Sequence, residues 1–232
     1  MPAFELSLLL SGPYHALLLA GLQVSLALLA VSFAVALPLA LLVALAGQAP
    51  LAPLRGLAVV FVESQRSVPL LAHLLFWYFG APELLPPDAR QWLYEGDVEF
   101  LAAVIALSLY YGAYMAEDIR SGLRAVPVEQ LQAARSLGLG FLPAMRLVVL
   151  PQAVRITVPP LLSQTLNLWK DTSIATVIGT AELMHQAAKV ETESFRSLEA
   201  FAFATVCYLA VSLAIAAAAA GYQRRLAPGW RA

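Results

Sequence analysis

Long apolar runs separated by short polar stretches organise this chain. Residues 16–46 are nearly unbroken, with Gln23, Ser25 and Ser32 as their polar side chains. As a helix this run reaches about 46 Å, longer than a hydrocarbon core of roughly 30 Å. Tilt, or a bend near Pro38, would absorb the excess. Four further runs follow at 57–80, 100–119, 147–168 and 198–222. The second is interrupted by "ESQRSVP", the fourth contains Pro151, Pro159 and Pro160, and the fifth ends in five alanines and a glycine. The stretch "SIATVIGTAELM" (173–184) is too short to cross a membrane as a helix and reads as a half-helix or re-entrant segment. The pattern predicts an all-α integral membrane protein with about five transmembrane helices, in one domain covering residues 1–232.

Composition supports this solvent assignment. Of 232 residues, 60% are hydrophobic and only 12% charged, with a mean hydropathy of +0.75, too little polar surface for a soluble domain. The net charge of −1 offers nothing to nucleic acid. The one cysteine, Cys207, excludes an internal disulfide and suits a small buried hydrophobe. No basic stretch precedes the first run, so that run is expected to remain as an anchor rather than be cleaved.

Basic residues set the expected orientation. Arg120, Arg124, Arg135 and Arg146 lie between the third and fourth runs, and Arg224, Arg225 and Arg231 lie in the tail. The connection after the second run instead carries Glu83, Asp88, Glu95, Asp97 and Glu99 against Arg90. The positive-inside rule therefore predicts a cytoplasmic 120–146 loop, a cytoplasmic C-terminus and an outside N-terminus.

That loop is long for a connection between spans. Pro127 suits a helix's first turn, Glu129 its positive end and Gly138 its termination. Ala133 and Ala134 carry almost no bulk, so another surface can approach the backbone. A helix lying flat on lipid headgroups would share these features.

The stretch from Tyr114 onward, "YMAEDIRSGLRAVPVEQLQAARSLGLGFLPAMRLVVLPQAVRITVPPLLSQTLNLWKDTSIATVIGTAEL", resembles the membrane permease subunits of ATP-binding-cassette importers, in particular those for polar amino acids. Gln132-Ala133-Ala134, Gly138 and Leu150-Pro151 occupy the places of that family's cytoplasmic signature. "RSVPLL" (66–71) and "LWKDTS" are also family-like. The resemblance implies a coupling helix that docks on a separate ATPase through Gln132, Ala133, Ala134, Arg135 and Gly138, within a coupling loop at about 120–150. Gln132 replaces the family's usual glutamate and so gives up its charge. The implied partners are a pair of ATPase subunits, a second permease, an extracytoplasmic solute-binding protein and a polar amino acid substrate. The implied location is the cell's inner membrane. ATP and magnesium would be bound by the ATPase, leaving this chain without a cofactor.

The rest of the sequence agrees with that division of labour. There is no G-x-x-x-x-G-K-[ST] phosphate loop and no H-E-x-x-H pair, and His15, His73 and His185 lack metal-ligand spacing. Ionisable side chains at membrane depth point to function or to pairing. Glu63 and Arg66 lie three apart on one helix face and can pair with each other or meet substrate. Asn167, Lys170, Asp171 and Thr172 interrupt the apolar pattern after two prolines, where a zwitterion could be met. Glu117 and Arg120 read as anchors of the coupling loop. An importer of another small solute such as an opine would share all of this. An ATP-independent channel or secondary carrier, or a membrane scaffold, would have no use for the coupling block.

Overall fold

The computed structural model describes residues 11–226, with side chains as far as Arg224, and no strand occurs among them. The Arg225 side chain, Arg231 and the residues ahead of position 11 lie outside what is described, so the orientation and anchor expectations resting on them do too.

Helix α1 (Pro13–Ala46) opens with proline in its first turn, where a missing N–H costs nothing, and runs on through Pro38. Its buried positions recur every three or four residues, from Leu18 and Gly21 through Ser25 and Leu28 to Ala40 and Ala44. Most are small. Helix α5 (Val98–Arg124) packs along this stripe with small residues of its own, among them Ala102, Ala103, Ala106 and Ala113. In lipid no hydrophobic transfer favours helix association, so close backbone approach and dispersion must hold the pair. Asp97 caps α5 by accepting from the Phe100 amide at 2.9 Å.

The second predicted run departs from expectation. It forms α2 (Ala52–Ser67) and α3 (Leu70–Leu75), the latter continuing as a π-helical turn (Phe76–Gly80) and a 3-10 turn (Ala81–Leu84). Pro69 is the cause: it disfavours helix at the preceding residue, and Val68 sits extended at φ −107°, ψ 134°. Among the described residues, the helices long and apolar enough to cross a membrane are Pro13–Ala46, Val98–Arg124, Phe141–Ile178 and Ser197–Arg224, four where about five were expected, and the interrupted 57–80 run is not among them. A short helix, α4 (Pro87–Tyr94), follows the broken run.

Beyond α5 come α6 (Val128–Ser136) and α7 (Phe141–Ala144), then a π-helical turn (Met145–Val149) leading into α8 (Leu150–Asp171). Pro159 and Pro160 do not break α8. A proline's fixed φ is helical, although each removes one backbone bond and crowds the carbonyl of the preceding turn.

The 173–184 stretch is not one half-helix. Its first part extends α8 as a 3-10 turn (Thr172–Ile178), the chain then turns, and Glu182 caps a new helix, α9 (Leu183–Ser194). Helix α9 packs on α1 and on α10 (Ser197–Leu226), which closes the bundle against α8. Trp169 is wholly buried there, its indole Nε1 donating to the Tyr208 carbonyl at 3.1 Å.

Candidate functional site

Two features concentrate the chemistry: a polar cavity between α5 and α8, and the exposed α6–α7 block.

The cavity has a volume of about 240 Å³ and is lined by Tyr110, Tyr111 and Tyr114 of α5 and by Gln164, Asn167, Lys170 and Asp171 of α8. Helical spacing of three and four puts each set on one face. The Tyr111 hydroxyl donates to Asp171 Oδ2 at 2.5 Å, crossing from α5 to α8. The Tyr110 and Tyr114 hydroxyls stand 3.4 Å apart. Gln164 Nε2 donates to Asp118 Oδ2 at 3.0 Å. Among the described residues the Lys170 ammonium and Asp171 Oδ1 carry no hydrogen bond or ion pair. An uncommitted cation beside a half-committed carboxylate, with amides and hydroxyls around them, can hold a small zwitterion.

Three of the residues expected on the substrate path, Asn167, Lys170 and Asp171, thus meet in one place. Thr172 does not join them: it is wholly buried, and its hydroxyl turns back to the Trp169 carbonyl at 2.8 Å. Glu63 lies elsewhere, lining a smaller cavity of about 120 Å³ with Glu117 and Arg120 between α1, α2 and α5. Among the described residues Glu63 and Arg66 form no ion pair. The Arg66 guanidinium instead lies 5.2 Å from the centroid of the Tyr114 ring, which places it at the margin of the larger cavity. Glu117 and Arg120 do pair, Arg120 Nε donating to Glu117 Oε2 at 2.8 Å.

The tyrosines of "YYGAY" were not singled out from the sequence. Three hydroxyls within a predicted span, at spacings of one and three, were the available signal. Glu182 was missed as well. It is wholly buried, accepts at Oε1 from the His185 amide (2.7 Å), and accepts at Oε2 from the Met184 amide (2.9 Å), Tyr208 (2.9 Å) and Ser25 (3.2 Å). One carboxylate thereby ties α1, α9 and α10 together. It is a structural hub with no solvent face.

In the second feature, α6 follows Pro127 directly and carries Glu129 in its first turn and Arg135 in its last. Gly138 takes φ +85°, while the Leu139 amide donates to the Ala134 carbonyl (3.2 Å) and the Gly138 amide to Arg135 (3.0 Å). This is the left-handed helix stop that glycine accommodates without strain. Of the expected docking residues, Ala134 is buried, whereas Gln132, Ala133, Arg135 and Gly138 are exposed. Beside them Leu137, Phe141 and Leu142 are 86%, 60% and 73% exposed. Small, basic and apolar groups share this uncovered block.

A helical bundle with crossing-length spans, a polar cavity between two of them and an uncovered loop helix defines a multi-pass membrane transport subunit. The chain belongs to the family of binding-protein-dependent transport system inner membrane components, whose model matches residues 36–231. It is 34% identical over 164 residues to the glutamate/aspartate import permease GltJ of Escherichia coli K12, the match covering 68% of this chain and 66% of GltJ. Over 175 residues it is 35% identical to GlnM of Bacillus subtilis, described as a probable glutamine ABC transporter permease, covering 75% and 76% of the two chains. The chain superposes with a TM-score of 0.84 and 30% identity on the crystal structure of an amino acid ABC transporter with histidines, covering 97% of this chain and 100% of that one. A TM-score of 0.74 at 20% identity relates its fold to the MetNI methionine ABC transporter, covering 93% and 99% of the two chains.

Proposed function

We propose that this chain is the permease subunit of an ATP-driven importer of polar amino acids. The α5–α8 cavity carries the reading: Asn167, Lys170 and Asp171 bring a free ammonium, a carboxylate and an amide together along an otherwise apolar span, Asn167 and Lys170 exposed and Asp171 half-buried. Polar and charged groups left uncovered at membrane depth are expensive unless a ligand or partner uses them. Relatives named for glutamate, aspartate and glutamine import support the substrate class.

In this reading the whole chain is one transmembrane domain in the inner membrane, and the broken run α2–α3 makes a fifth crossing. The N-terminus lies outside, and the C-terminus and the 120–150 loop lie in the cytoplasm. Helix α6 docks on an ATPase through Gln132, Ala133, Arg135 and Gly138, with Ala134 packed inward. The ATPase pair binds ATP and magnesium, a second permease completes the path, and a solute-binding protein delivers the amino acid. This chain performs no covalent chemistry. Closure of the ATPases is transmitted through α6 to α5 and α8, which flank both the loop and the cavity.

Reconstitution in liposomes with the partner ATPase and binding protein tests this. Labelled glutamate or glutamine should accumulate only when ATP is supplied, and a cysteine at position 132 should react with an impermeant maleimide only from the cytoplasmic side. Uptake by the permease alone without ATP, or labelling of position 132 from outside, would overturn the reading.

A further inference from the structure

Asp171 has one oxygen tied and one free, and the tie is the more informative half. Tyr111 is 2% exposed, packed in the cluster that holds Ala36, Met115 and Leu168. Its ring also stands edge-on to Tyr110, with centroids 5.5 Å apart. A phenol so enclosed has little rotational freedom, and its hydroxyl must find a partner within the protein. It finds Asp171 Oδ2 at 2.5 Å, the short range of an O–H donor on a charged acceptor. The carboxylate cannot turn without breaking that bond. Oδ1 is left as the acceptor, on a residue that lines the cavity, next to the unpartnered Lys170.

We propose that Tyr111 is a positioning residue: it clamps the Asp171 carboxylate so that Oδ1 receives the α-ammonium of the transported amino acid. The inference rests on the cavity being the substrate's place, as argued above. The substrate's carboxylate then falls to Lys170. Both groups are common to every α-amino acid, so the Tyr111–Asp171 pair reads the backbone of the substrate and contributes nothing to side-chain choice.

The test uses the assembled permease–ATPase complex in detergent, without the binding protein, and measures equilibrium binding of glutamate and of glutamine by ligand-observed NMR. Tyr111→Phe, which removes the hydroxyl and keeps the ring, should weaken both amino acids by roughly tenfold. The glutamate-to-glutamine ratio should not change. Asp171→Asn should weaken both at least as much, and Tyr111→Phe should add nothing in the Asp171→Asn background, because one acts through the other. A full additional loss in the double variant, or a shifted ratio, overturns the proposal. So does a Tyr111→Phe chain that fails to assemble while Asp171→Asn assembles, for then Tyr111 is a packing residue. Unaltered binding in Asp171→Asn, or no binding of either amino acid by the unaltered complex, overturns the cavity reading itself.

Discussion

Gly21 of α1 lies so close to α9 that a Cβ built on it would stand 2.9 Å from Leu183 Cα and 2.8 Å from Gln186 Cγ. The nearest obstacle on one side is backbone, which cannot swing away. One turn further along α1, Ser25 accepts from the Leu183 amide at 3.0 Å and donates to Glu182. The close approach and the buried bonds depend on the same helix spacing.

Gly21→Val should therefore force α1 and α9 apart. Overpacking of this kind costs about 1–3 kcal/mol. A lower Tm of the purified chain in detergent, relative to the unaltered protein, checks it.

Glu182→Ala should be more damaging. It strands the Ser25 and Tyr208 hydroxyls and the Met184 and His185 amides, all of which now donate to that carboxylate. Loss of the cap and of buried partners together costs about 2–4 kcal/mol. Hydrogen exchange should accelerate at the first turn of α9, whereas Glu182→Gln should retain part of the protection.

Arg66 and Glu63 offer a test of pairing against proximity. A double-mutant cycle in detergent melts should give a coupling near zero for Glu63 with Arg66, since no ion pair joins them among the described residues. The cycle of Arg66 with Tyr114 should give about 0.5–1 kcal/mol, the usual value of a guanidinium over an aromatic face.

Leu137→Glu and Phe141→Glu should separate docking from folding. Both side chains are mostly exposed, so stability should move by no more than about 0.5 kcal/mol. Capture of the partner ATPase by the tagged permease should nonetheless fall sharply, because a buried charge without a partner disrupts an interface core. Undiminished co-purification would remove α6–α7 as the docking block.

Some of this site was legible from residue order and some was not. The "NLWKDTS" cluster stood out because charge interrupts an apolar pattern, and three of its members do line the cavity. Their partners on α5 were invisible because tyrosine suits an apolar helix as readily as a polar site, and only the packing of α5 on α8 brings the Tyr111 hydroxyl to Asp171. Glu63 and Arg66 share a helix face by spacing, yet spacing permits a contact without creating one. The Arg66 guanidinium found the Tyr114 ring on another helix instead. Glu182 sat inside a short apolar stretch with no periodic signal, and its role as a cap depends on a turn formed after Ile178.

By itself the residue order determined the solvent, the helical class, the places of the main spans and the position of the loop helix. Those follow from local facts: how many apolar residues stand in a row, and where proline, glycine and charge interrupt them. Tertiary structure alone decided which face of each span is buried. Along α1 the exposed and buried positions are both largely apolar, and the buried stripe differs mainly in being small. Hydropathy cannot distinguish such faces; the fit of one backbone against another can, and that fit also brings distant polar groups within bonding distance.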